Sequence, residues 1–175
     1  MKTVPLTLLL AGFGGLWVDP LRQPLPEFIS FTPFFPPTLM ESPSQLPPQQ
    51  VVRNFLAAVQ HGHFDQVSAA LHPQVQWSQP GTNRLAGLKH SRDEVFALVG
   101  AMQELAAGTL TLTAVDVVST SGNRVACRVH WQAAQPPGGR LDVDNIDVYT
   151  VDNGLITRVE VFSADQAQED AFWGK

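Results

Sequence analysis

Residues 141–162 read LDVDNIDVYTVDNGLITRVEVF, two runs of alternating apolar and polar side chains on either side of Asp152-Asn153-Gly154. Alternation with a period of two marks strands, and Asn-Gly tolerates the positive φ angles of a two-residue hairpin loop, so the stretch predicts a β-hairpin. On its first strand Val143, Asn145, Asp147 and Tyr149 share one face, while Asp144, Ile146, Val148 and Thr150 share the other. An acid, an amide and a phenol therefore stand in one line. Alternation alone leaves open which face is the inner one.

Outward from the hairpin, Asp165 reads as the cap of a closing helix that ends in Phe172 and Trp173. Upstream, TLTLTAVDVVS and RVACRVHWQA are strands bounded by Ser121-Gly122-Asn123 and by Pro136-Pro137-Gly138-Gly139, which makes an antiparallel meander of the last strands. The apolar phase changes between Leu112 and Val115, the signature of a bulge that curves the sheet. Before the meander, Val51, Val52, Phe55, Leu56 and Val59 follow helical spacing up to Gly62, and Phe64, Val67 and Leu71 predict a second, short helix ending before Pro73. VQWS is a brief strand, and the loop QPGTNRLAGLKH arches over an edge, its first part, Gln79 to Gly87, being a candidate lid. Ser91 and Glu94 form a capping box ahead of a third helix striped by Val95, Leu98, Val99, Met102 and Leu105. The expected fold is α+β: a cone-shaped curved antiparallel sheet covered by three N-terminal helices, with a short C-terminal helix.

The chain has 175 residues, enough for one sizeable core, and is 44% apolar with a net charge of -5, which argues against nucleic acid as a partner. Its one cysteine, Cys127, excludes an internal disulfide and a cysteine-clustered metal site, and fits a reducing, cytoplasmic compartment. His61 and His63, two positions apart at a helix end, do not share a face and predict no metal site. No phosphate loop, nucleophile elbow or dinucleotide fingerprint is present, so no cofactor is expected.

Residues 1–48 differ in kind. Ten of the 14 prolines fall there, a density that excludes regular elements. Met1-Lys2 and the apolar run Val4 to Val18 resemble an export signal interrupted by Pro5, and the run is short for a membrane span, so none is expected. Three readings fit this extension: a signal or anchor, which would imply export; a tail docked on the domain; or sequence upstream of a true start at Met40, the favoured one. The domain itself is taken as residues 49–174.

The element order, with Ile146-Asp147-Val148 followed by Gly154-Leu155-Ile156 and with Arg128-Val129 on the preceding strand, resembles the nuclear transport factor 2-like superfamily in its SnoaL-like and ketosteroid isomerase-like branch. The resemblance covers about Gln49 to Gly174 and implies that the Asp147 face is the inner one. The implied cavity is lined by Cys127, Val129 and Trp131, by Val143, Asn145, Asp147 and Tyr149, and by Val159 and Val161, with Phe55 and Trp77 closing it from the helical side. The outer sheet face would then pair two copies into a homodimer. Ketosteroid isomerases combine a helix Tyr, a protonated sheet Asp and a second Asp as base. Asp147 matches the sheet Asp, but Phe55 stands at the Tyr position and VQWSQPG holds no carboxylate, so that mechanism is not expected. Arg158-Val159-Glu160 likewise lacks the His of SnoaL-like cyclases.

Asp147 is accordingly the candidate proton-transfer group and Tyr149 the candidate second donor, with the remaining cavity residues as ligand contacts. The plainer alternative is a buried Asp serving structure through hydrogen bonds, with the tryptophans as core. Two functions follow from these readings: cofactor-free acid/base chemistry on a small, largely apolar compound, or non-catalytic binding of a ligand or a protein.

Overall fold

A computed structural model of the chain describes residues 46–174, so the proline-rich extension and the alternative start at Met40 lie outside the described residues apart from its last positions. Helices α1 (Pro48–His61) and α2 (Phe64–Ala70) are followed by strands β1 (Leu71–Gln79) and β2 (Gly87–Lys89), then by helix α3 (Arg92–Leu105). Strands β3 (Thr111–Ser121), β4 (Arg124–Gln135), β5 (Gly139–Asp152) and β6 (Leu155–Ser163) precede the closing helix α4 (Gln166–Trp173). The sheet has the order β2-β1-β6-β5-β4-β3. β3 to β6 form the expected antiparallel meander, and β1 extends it by pairing parallel to β6, with Trp77 opposite Val159.

The local signals account for the elements that hold the site. Asn153 (φ 52°) and Gly154 (φ 79°) close the β5–β6 hairpin between the paired Asp152 and Leu155. Asp152 secures this turn by accepting hydrogen bonds from Thr157 Oγ1 (2.7 Å) and Asn123 Nδ2 (2.8 Å). At the head of α3 the Glu94 amide donates to Ser91 Oγ (3.2 Å), and the Glu94 carboxylate accepts from the His90 amide (2.8 Å), so orphan donors at the helix start are satisfied. The phase change in β3 is a register shift between Leu112 and Ala114, and a second shift follows between Val117 and Ser119.

Two expectations change. Leu71 belongs to β1 rather than to the second helix, and β1 continues through Pro73. Pro73 is tolerated because it falls inside the register shift between Leu71 and Gln76, where a missing N–H breaks no ladder bond. Within the loop after β1, Gly87–Lys89 pairs with Trp77–Gln79 as the edge strand β2. The rest of that loop is fastened to α4. Asp170 accepts from the Thr82 amide (3.0 Å), Thr82 Oγ1 (2.9 Å), Asn83 Nδ2 (2.7 Å) and Gln166 Nε2 (3.1 Å), which holds its carboxyl down at about 2. Gly81 (φ +101°) has no room for a Cβ, which would meet Asp170, Gln166 and Asn83.

On β5 every second residue from Leu141 to Val151 is buried, so the Asp147 face is the inner one, as the resemblance implied. The core has two parts. One joins α1 to the sheet through Val52, Phe55, Leu56, Val125, Tyr149 and Ile156, and the other gathers Leu85, Leu98, Leu141, Val143, Phe172 and Trp173 under α4. Trp77 and Trp131 pack against both parts. Burial of each large apolar side chain contributes roughly 1.5–3 kcal/mol, so this packing, and not the exposed ion pairs of the outer face, dominates stability.

Candidate functional site

A cavity of ≈ 300 Å³ opens between the concave face of the sheet and helices α1 and α3, with mostly apolar walls. Its polar floor comes from the middle of β5. Asn145 and Asp147, two residues apart, point inward together, and the next inward residue is Tyr149. Asp147 lies between Cys127 on β4 and Val161 on β6, so neither flanking strand offers it a polar partner.

The Tyr149 hydroxyl supplies that partner, donating to Asp147 Oδ2 at 2.9 Å. Phe55 meets the Tyr149 ring edge-on at a centroid distance of 5.8 Å and holds the phenol in place. The other oxygen, Asp147 Oδ1, is buried and without a partner. Loss of water raises the Asp147 carboxyl to about 7; the Tyr149 hydrogen bond opposes that rise and the charge of Glu169 adds to it. The group therefore changes charge near neutral pH, where a proton-transfer residue is most effective. Burial and the adjacent Asp147 push the Tyr149 phenol well above its ordinary range, so it keeps its proton and donates it in the hydrogen bond to Asp147. The same causes lift the Cys127 thiol to about 11, too high for a reactive thiolate.

Of the residues predicted from sequence, Phe55, Trp77, Trp131, Val143, Asn145, Asp147, Tyr149 and Val161 border the cavity. Cys127, Val129 and Val159 face inward but do not reach it, being fully buried in the core beneath α1. Alternation assigns a face; it does not say which part of that face the helices cover.

The structure adds Glu169, which sequence reasoning missed. It is 2% exposed, borders the cavity from α4, and its Oε1 has no partner. A signal existed: with Asp165 as cap, Glu169, Phe172 and Trp173 stand at helical spacing on one face, and the two aromatics are core. The hydrogen bond from the Asp142 amide to Gln168 Oε1 (2.7 Å) and that from the Arg84 amide to Gly174 O (2.9 Å) fix α4 against β5 and the loop. Gln79 was also missed; its Oε1 accepts from Trp77 Nε1 at 3.2 Å and so orients the indole.

His130, on the outer face, bridges Asp142 (2.9 Å) and Asp144 (2.8 Å), away from the cavity. Among the described residues no cluster of His, Cys, Asp and Glu is arranged to hold a metal ion, and no helix is long and apolar enough to cross a membrane.

Comparison with known proteins agrees with this geometry. The family described as a SnoaL-like domain matches residues 52–159. An uncharacterised protein of Mycobacterium tuberculosis is 34% identical over 123 residues, which is 70% of this chain and 93% of that protein. A Xanthomonas campestris protein of unknown function with a cystatin-like fold superposes with a TM-score of 0.71 at 30% identity, over 74% of this chain and 100% of that one. Bal32a, from a soil-derived mobile gene cassette, follows at a TM-score of 0.69 and 25% identity, over 74% of this chain and 98% of its own. With Asp147 on the inner face of a cone closed by α1 to α3, and with matches over most of the domain, this chain belongs to the SnoaL-like domain family.

Proposed function

We propose that the chain binds a small, largely apolar ligand in the cone cavity and that Asp147 exchanges a proton with it, in cofactor-free chemistry of the isomerase, cyclase or hydrolase type. The observation that carries this reading is the state of Asp147: enclosed among apolar walls, held at one oxygen by Tyr149, unpartnered at the other, and titrating at about 7. A carboxyl so placed delivers or accepts a proton with little driving force lost, which is the requirement for general acid/base work. Acid/base turnover also calls for a second polar group in reach, and Tyr149 meets that need at 2.9 Å. Phe55 offers no hydroxyl, so the arrangement differs from that of a ketosteroid isomerase.

The test is a thermal-shift and titration-calorimetry screen of flat phenols, ketones and short polyketides, run on the wild type beside Asp147→Asn and Tyr149→Phe. The expected result is one chemical class that binds the wild type with a pH dependence centred at about 7. That dependence should vanish in Asp147→Asn and move upward in Tyr149→Phe, because the phenol holds the Asp147 titration down. Binding that is indifferent to both substitutions would leave a non-catalytic binding module as the better reading.

The outer sheet face belongs to the same proposal as a homodimer surface. Ile146 and Phe162 sit opposite each other in the β5–β6 register, exposed at 38% and 56%, beside the His130–Asp144 hydrogen bond and the Arg124–Glu160 ion pair. Sedimentation equilibrium should return twice the chain mass, reduced to one chain in Phe162→Asp. A wild type that sediments as a single chain at micromolar concentration ends this part of the proposal.

A further inference from the structure

The cavity's polar atoms are unbalanced in a way that specifies the ligand. Its three buried atoms without a partner are all oxygens, Asn145 Oδ1, Asp147 Oδ1 and Glu169 Oε1, and all are acceptors once the carboxyls are ionised. Four of the donors around them are already engaged. Tyr149 donates to Asp147, Trp77 Nε1 to Gln79, Gln103 Nε2 to Leu110 O and Gln60 Nε2 to Leu112 O. Among the described residues that line the cavity there is no Lys, Arg or His, so nothing on its walls neutralises its two carboxyl groups.

We propose that the ligand carries a protonated amine head, seated against Asn145, Asp147 and Glu169, on an apolar body that fills the rest of the cavity. The proposal rests on the ligand-binding reading of the cavity given above and names the chemistry of its occupant. A buried carboxylate is costly unless a cation or hydrogen-bond donor compensates it, and leaving an acceptor unmet costs about 1–3 kcal/mol. A primary ammonium offers three N–H donors and one positive charge, which answers the unmet acceptors and the paired acids together. A ketone, carboxylate or ether head would bring no donor to these three oxygens. The aromatic walls suit the same head, because Trp77, Trp131 and Trp173 present indoles to the cavity and indoles attract cations. The net charge of -5 also favours approach of a cation.

Phenethylamine, phenethyl alcohol, phenylacetone and phenylacetate share one apolar body and differ in the head, so their dissociation constants with the full chain near neutral pH decide the matter. Phenethylamine is expected to bind about tenfold or more tighter than the alcohol and the ketone, with phenylacetate weakest. Glu169→Gln should weaken phenethylamine by about thirtyfold and leave phenylacetone unchanged, as loss of one buried charged partner implies. If Glu169→Gln does not fold, the order of the four ligands on the wild type remains decisive. Phenylacetone binding as tightly as the amine, in a manner lost in Asp147→Asn, would overturn the amine proposal and leave the proposed function standing. Failure of all four probes to change the tryptophan fluorescence or melting temperature would count against both.

Discussion

Asp147→Asn is expected to stabilise the chain by about 4 kcal/mol at pH 8 while abolishing the proton exchange proposed for the site. The sign follows from linkage. The Asp147 carboxyl titrates at 3.8 in the unfolded chain and at about 7 in the folded one, so between these values the folded state holds more protons and stability falls as pH rises. The loss is complete above about 7, where the carboxylate is ionised inside an apolar wall. Asparagine keeps the shape and can still accept from Tyr149, yet it never ionises. Urea denaturation across the acidic and neutral range should show the wild type losing about 1.4 kcal/mol per pH unit relative to the variant. Taking the difference between the two chains cancels the contributions of other titrating groups. A variant less stable than the wild type at pH 8 would mean that the carboxylate is a structural acceptor, and the functional reading of Asp147 would go with it.

Phe55→Ala should cost about 3–5 kcal/mol, the usual loss for truncating a buried phenylalanine. Phe55 is 3% exposed, borders the cavity and braces the Tyr149 ring. Its removal enlarges the ≈ 300 Å³ cavity and frees the phenol that partners Asp147, so the stability loss should come with a wider range of accepted ligand sizes. Chemical denaturation gives the first quantity, and the midpoint shift with bulkier ligands gives the second. A loss below about 1 kcal/mol would show that the position is not tightly packed, and that Tyr149 is held by something else.

Much of this arrangement was legible because the signals are local. The β5–β6 hairpin depends on Asn153 and Gly154, both at positive φ, and on a period of two that runs unbroken from Leu141 to Val151. The capping box at Ser91 and the Asp165 cap, which accepts from the Gln168 amide at 2.9 Å, are contacts over three residues. The parallel pairing of β1 with β6 was not legible, since it joins Trp77 to Val159 across most of the domain and leaves no mark in either segment. The three-residue β2 is too short for alternation to register, and Pro73 argued against the strand that contains it.

Candidate residues divide along the same line. The order of the elements and the alternation along β5 are properties of the sequence, because backbone geometry alone places Asn145, Asp147 and Tyr149 on one face. Which part of that face stays open was decided by tertiary packing: α1 covers Cys127, Val129 and Val159 and leaves Asp147 at the cavity. Tertiary packing likewise brought Glu169 into the cavity with Asp147, through the contacts that fasten α4 to β5. The physical reason is range. Dihedral preference and side-chain periodicity act over a few residues, whereas the desolvation and charge that set the state of Asp147 arise from groups that are distant in the chain.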